Sequence, residues 1–300
     1  MRLSALPVLA SGLLEGRVDG SVSTSVAEVV ATSERVCHVV ATTRSAAYLA
    51  CGVSATPVLA LLSADAVRVP NGVVLPLPAE AEPFNDLRPG ATVLVGRGML
   101  KHPVLRVVGR STWSPPHVHL TQPERALART SEFAHLLAVR GLPPPPELAK
   151  PEAALARALL RGDERQTRRA TRALIGRGPG LTPSGDDVLC GLLIGLAALR
   201  DKSGDLGART VRTVVDDHRS STTTASGALL VHAARGEAIP ELAELLRTLE
   251  SASPLTPALA ALLAVGHHSG SDLARGILLA LWTVGGSSAH LPARSARTVR

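Results

Sequence analysis

Hydrophobic and polar positions follow two different rhythms along this chain, and the change falls near residue 122. Before it, short β-branched runs alternate with turn residues: 36–40, 58–62, 67–77, 91–95 and 105–108. Pro70-Asn71-Gly72 and Arg88-Pro89-Gly90 punctuate them. Many short strands with no helical period between them predict an antiparallel or barrel-like domain. Residues 22–31 fit either a strand or a helix. In Pro116-His117-Val118-His119 the two histidines alternate, so both face one side of an exposed strand or loop.

After Pro123 the apolar spacing is helical and stays so. Ala126, Leu127, Phe133, Leu136, Leu137 and Val139 make one face over 123–140. Gly141-Leu142 and the prolines 143–146 end it and form a stiff connector. Further helices are read at 147–160, 164–175, 188–199, 206–217, 225–235, 241–249, 257–265 and 273–284, and the tail from Leu291 is expected to fray. The fold class is therefore α+β. A strand-rich domain spans 1–122, and an all-helical domain with an internal pseudo-repeat spans 123–300.

Between two of those helices lies the densest polar stretch, Gly176-Arg177-Gly178-Pro179-Gly180-Leu181-Thr182-Pro183-Ser184-Gly185-Asp186-Asp187. It opens into 188–199, which carries no charge. Such a turn places its chemistry at a helix N-terminus, where free N–H groups and the helix dipole favour an anion. Ser184 and Asp187 also fit a capping box, which needs no ligand. Capping leaves unexplained the run of Gly176, Gly178 and Gly180, which lets backbone N–H groups approach an anion, and it leaves Asp186 over.

The motif recurs. Ser184-Gly185-Asp186-Asp187-Val188-Leu189-Cys190-Gly191 lies without a gap over Ser269-Gly270-Ser271-Asp272-Leu273-Ala274-Arg275-Gly276. The shared pattern is S-G-x-D, an apolar residue, then a glycine one turn on. The inner glycines would let two helices approach closely. The two helices are thus expected to pack together, with both N-termini on one cleft.

An anion beside paired carboxylates needs a mediator. Mg²⁺ held by Asp186 and Asp187 would supply one, and Arg172 or Arg177 another. A substrate with an anionic end and an N–H₂ group that donates to a carboxylate is the third. In the second turn His267 can contact the anion or move a proton near neutrality. Thr222 to Ser226 offers hydroxyls or a helix cap. Asp186, Asp187 and His267 are the catalytic candidates. Gly178, Gly180, Thr182, Ser184, Gly185, Thr223, Ser269, Gly270 and Asp272 are the substrate-binding ones.

Composition narrows the classes. At 45% hydrophobic and 2% aromatic, the core must be aliphatic. The net charge of +7 is nearly all arginine, scattered and without stacking aromatics, which favours a small anionic substrate or an acidic partner over nucleic acid. Cys37, Cys51 and Cys190 are far apart and form no C-x-x-C pair, which fits a reducing compartment and no zinc. With no signal-peptide pattern and no apolar run beyond about 12 residues, a cytoplasmic protein without a membrane span is expected. G-x-x-x-x-G-K-[ST] and G-x-S-x-G are both missing, so neither a P-loop nor a serine-hydrolase nucleophile is supported.

Residues 178–187, with Thr223 to Ala233 and Gly266-His267-His268-Ser269-Gly270-Ser271-Asp272, resemble the oxamate carbamoyltransferase subunit AllH family. The resemblance covers about 165–285. His268 stands where the family pattern has threonine. The resemblance implies a subunit of a multi-subunit carbamoyltransferase of purine and allantoin breakdown, interconverting oxalurate and phosphate with oxamate and carbamoyl phosphate beside companion subunits. A non-catalytic partner subunit and a Mg²⁺-dependent phosphotransferase are the alternatives.

Overall fold

The computed structural model describes residues 17–53, 56–199 and 206–288. They divide into two compact units between Pro115 and Pro116.

The first unit is a closed eight-stranded barrel. Its strands are β1 (Arg17–Ser23), β2 (Arg35–Thr42), β3 (Ala46–Val53), β4 (Thr56–Leu62), β5 (Gly72–Val74), β6 (Thr92–Gly96), β7 (Met99–His102) and β8 (Leu105–Trp113). Their order around the barrel is β1-β5-β4-β3-β2-β6-β7-β8. Most pairs are antiparallel, but β4 pairs with β5 and β1 with β8 in parallel. The barrel-like expectation is met, with mixed rather than antiparallel pairing.

Inside-outside alternation builds the core. Cys37 and Val39 of β2 and Val93 and Val95 of β6 point inward, whereas Val36 stays exposed. The His38–Ala50 register sets Cys37 opposite Cys51 on β3. A hydrogen bond with Cys37, then burial, pushes the Cys51 thiol up. The ambiguous stretch 22–31 resolves into both elements: β1 ends at Ser23 and the short helix α1 (Ala27–Ala31) follows. The strand read over 67–77 shortens to β5, because Asn71 sits in a turn, its side-chain amide donating to the Val58 carbonyl at 3.0 Å.

The second unit is helical: α2 (Pro123–Ala128), α3 (Thr130–Arg140), α4 (Pro146–Leu160), α5 (Glu164–Leu174), α6 (Ser184–Leu199), α7 (Leu206–His218), α8 (Thr224–Ala234), α9 (Pro240–Glu250), α10 (Leu255–Leu263) and α11 (Ser269–Ser288). Prolines open α2, α4 and α9, where the lost N–H costs nothing. Asp163 caps α5 and Thr223 caps α8, each accepting from a backbone N–H in the first turn. The helix read over 123–140 is broken at Arg129. Its guanidinium donates to the carbonyls of Thr248, Ser251 and Ser253 at the end of α9, at 3.0, 3.0 and 2.9 Å. His117 and His119 are exposed while Val118 and Leu120 are buried, as their alternation requires. No helix among the described residues is long and apolar enough to cross a membrane.

Helix α6 is the axis of this unit. Every residue of it except Ala197 is buried, as a helix apolar on all sides must be. Its principal neighbour is α11, running in the same direction. Ser184 of one meets Asp272 of the other at the start, and a Cβ built on Gly195 would lie 2.8 Å from the Ala280 Cβ three turns on.

Candidate functional site

The chain leaves α5 at Leu174 and reaches α6 through a turn that glycine alone permits. Gly176 has φ +69°, and any side chain there would meet the Ser221 carbonyl at 2.6 Å. The first turn of α6 is anchored from behind. The Gly185 N–H donates to the Arg177 carbonyl at 2.9 Å, and the Asp186 and Asp187 N–H groups donate to Pro183. Those donors are therefore not free for an anion, contrary to the expectation for this helix end. Gly178, Gly180 and Thr182 differ: their N–H groups have no partner among the described residues. Gly180 is exposed and Gly178 half-buried.

Asp186 and Asp187 point to different surroundings. Asp186 is fully buried and accepts from the Gly176 N–H at 2.9 Å, from the Ser226 hydroxyl at 2.8 Å and from the Thr222 hydroxyl. Burial raises its carboxyl pKa, and these three donors pull it back. Asp186 thus ties the glycine turn to the start of α8. Thr223 makes a second tie, its hydroxyl donating to the Leu181 carbonyl. Asp186→Asn replaces an acceptor oxygen with a donor among these donors. It should lower stability by about 1–3 kcal/mol, read as a shifted urea midpoint at unchanged slope. An unchanged midpoint would contradict this role.

Asp187 faces the second turn. It is 6% exposed, and burial pushes its carboxyl up to about 7, with the neighbouring Asp272 and Asp186 adding to the effect. The Ser269 and Thr182 hydroxyls beside it act the other way, and they lie 3.2 Å from each other. Asp272 is fully buried and is the counterpart on α11. Burial raises it too, offset by the Ser184 hydroxyl and by Arg275. Arg275 donates to Asp272 and reaches Glu152 of α4 at 3.3 Å. One oxygen of Asp187 and one of Asp272 are buried without any hydrogen-bond partner.

The contacts are reciprocal. Ser184 lies against Asp272 and Ser269 against Asp187. A Cβ on Gly191 would fall 2.1 Å from the Leu273 carbonyl oxygen, and one on Gly276 would fall 2.2 Å from that of Val188. Gly185 and Gly270 are equally constrained, against the carbonyls of Leu174 and Leu262. These two glycines make room for backbone and present nothing to a ligand.

Of the histidines, His267 is exposed and His268 half-buried. His268 is the one whose charge acts on Asp272, and its Nδ1 is buried and unpartnered. The two rings are edge to face at 4.6 Å. The structure therefore gathers Asp187, Asp272, Ser184, Ser269, Thr182 and His268 at one place and sets Asp186, Gly185 and Gly270 behind them. Arg275 and Glu152 were not singled out from the sequence, and the 222–226 segment was read only as a source of hydroxyls or a helix cap, without Asp186 as its partner. The i,i+3 spacing of Asp272 and Arg275 on one helix was the available signal for the first of these. Among the described residues no three His, Cys, Asp or Glu side chains form a group that could hold a metal ion. The expected Asp186–Asp187 pair is not a shared donor set, since the Asp186 oxygens are engaged by the fold.

Two buried carboxyls, Asp187 held up to about 7 and Asp272 raised as well, thus lie among the Ser184, Ser269 and Thr182 hydroxyls where the first turns of α6 and α11 meet. The family model described as oxamate carbamoyltransferase subunit AllH matches residues 174–281. That span runs from the end of α5 into α11 and contains both turns. No solved structure matches the chain.

Proposed function

We propose that the helical unit binds a small molecule carrying an anionic end and an N–H₂ group, of the oxamate or carbamoyl phosphate type. It does so as a subunit of a carbamoyltransferase of purine breakdown that works with companion subunits. The observation that carries this reading is the pair of unpartnered, buried carboxyl oxygens on Asp187 and Asp272. Buried acceptors without donors are costly, and an N–H₂ group donates to two acceptors at once. The N–H groups of Gly178, Gly180 and Thr182 then receive the anionic end. Asp187 exchanges a proton with the nitrogen it holds, and Ser269 and Thr182 orient it. His268 offsets charge at Asp272, and His267 stands at the open rim. The S-G-x-D turns act as an internal duplicate, with α6 and α11 related by a pseudo-twofold axis along their crossing. Asp186 serves as a positioning residue.

A thermal-shift panel with phosphate, carbamoyl phosphate, oxamate and a nucleotide, each with and without Mg²⁺, tests this on the whole chain and on Asp187→Asn. Saturation at about 100 times Kd adds roughly 2.7 kcal/mol to the folded state. The expected result is a raised midpoint with oxamate or carbamoyl phosphate that is lost in the variant. Silence toward every ligand would point to a non-catalytic partner subunit. A response that needs both nucleotide and Mg²⁺ would point to a phosphotransferase.

A further inference from the structure

A cleft of about 420 Å³ opens between α7 and α8. Arg212 and Asp216 line it from α7, Arg219 from the turn that follows, and Val231, Ala234 and Arg235 from α8. Ser226, which holds Asp186, comes more than a turn earlier on α8, and the helical period sets it on a different face from Val231 and Arg235. The cleft is thus separate from the carboxylate site.

Two of its guanidinium groups, those of Arg212 and Arg219, share the wall with one carboxylate, Asp216. Arg212 and Arg219 make no ion pair and no side-chain hydrogen bond with the described residues, and Asp216 pairs with neither. The Arg212 Nε is buried and has no acceptor. A buried guanidinium donor without an acceptor is unfavourable, and like charges sharing one concave wall repel each other. An oxyanion relieves both. Forked guanidinium donors match the oxygens of a phosphoryl group, which offers more acceptors and more charge than a lone carboxylate. Val231 and Ala234 supply an apolar wall for the remainder of a ligand.

We infer that this cleft is a second ligand site, specific for a small molecule bearing a phosphoryl group and gripped by Arg212 and Arg219. The probes are pyrophosphate and orthophosphate, with succinate as the carboxylate control, titrated at constant ionic strength into the whole chain by calorimetry. Pyrophosphate should bind the parent protein and Asp187→Asn alike, and succinate should bind far less well. Arg212→Gln and Arg219→Gln should each weaken pyrophosphate by about tenfold or more. Should either variant fail to fold, phenylglyoxal modification of the parent protein gives the same answer. Peptide mapping should then find Arg212 and Arg219 protected by pyrophosphate. No binding to the parent protein, equal affinity in folded arginine variants, or modification rates indifferent to pyrophosphate would each overturn the inference. Because the Asp187→Asn arm reads the first site, failure of one site is distinguishable from failure of the other.

Discussion

Replacing Gly191 or Gly276 with alanine abolishes the folded helical unit or costs it on the order of 4 kcal/mol or more. Propensity argues the opposite sign, since Gly→Ala inside a helix ordinarily gains about 1 kcal/mol. Packing decides. The new methyl at 191 would sit 2.1 Å from the Leu273 carbonyl oxygen, and the one at 276 would sit 2.2 Å from the Val188 oxygen. Both obstacles are backbone, so no rotamer change gives way. Relief requires moving α6 and α11 apart. That opens voids beside Leu192 and Ile277, both fully buried, in an interior packed too densely to absorb them. It also separates Ser184 from Asp272 and Ser269 from Asp187. Gly180→Ala is the control. Its backbone is left-handed at φ +93° but nothing lies within 4 Å of the added Cβ, so only about 1–2 kcal/mol of backbone strain is expected. Soluble yield and urea midpoints rank the three variants. A Gly191→Ala protein as stable as the parent would refute the tight crossing.

The Asp187→Asn protein should be more stable than the parent at pH 8 and equal to it at pH 4. The sign follows from proton counting. Unfolded, Asp187 ionises near 3.8, whereas in the folded chain burial holds it near 7. Between these values the folded state binds more protons, so Asp187 makes stability fall as pH rises. The penalty is absent below about pH 4, grows up to about 7 and is complete above it. Its size is a few kcal/mol, at about 1.4 kcal/mol for each unit of displacement. Asparagine resembles the protonated acid and does not ionise, so the variant loses this slope. The raised carboxyls of Asp186, Asp272 and Glu152 remain in both proteins, so the difference reads Asp187 together with its charge coupling to Asp186 and Asp272. Urea midpoints of both proteins at pH 4, 6 and 8 measure it. An equal loss of stability at all three would make Asp187 a simple helix cap. The gain in stability should accompany loss of ligand response, as expected where a buried ionisable group is kept for function.

The capping-box reading of Ser184 and Asp187 fails for a geometric reason. Each serine of the S-G-x-D pair lies against the aspartate of the other copy. A local sequence rule pairs residues within one turn and cannot register a partner that stands elsewhere in the chain, as Asp272 does for Ser184 and Asp187 for Ser269. Asp186 and Asp187 were likewise equivalent as letters, but successive helical residues turn by about 100°, which sends one toward α8 and the other toward α11.

Much was decided by sequence alone. Hydrophobic period separated a strand-rich part from a helical part, because alternation and 3.6-residue spacing bury different faces. An uncharged helix had to be central, since no face of it suits water. Glycine density marked both turns, because only glycine tolerates such backbones and close approaches. β3 and β7 escaped notice because Ala46–Val53 and Met99–His102 are weak strand formers that become strands through pairing with their neighbours. The tertiary structure alone decided which carboxylate meets which hydroxyl, that His268 rather than His267 acts on Asp272, and that Arg212 and Arg219 share one cleft. These are contacts between segments distant in sequence. Their energies depend on burial and on the dielectric around each group, and packing creates both.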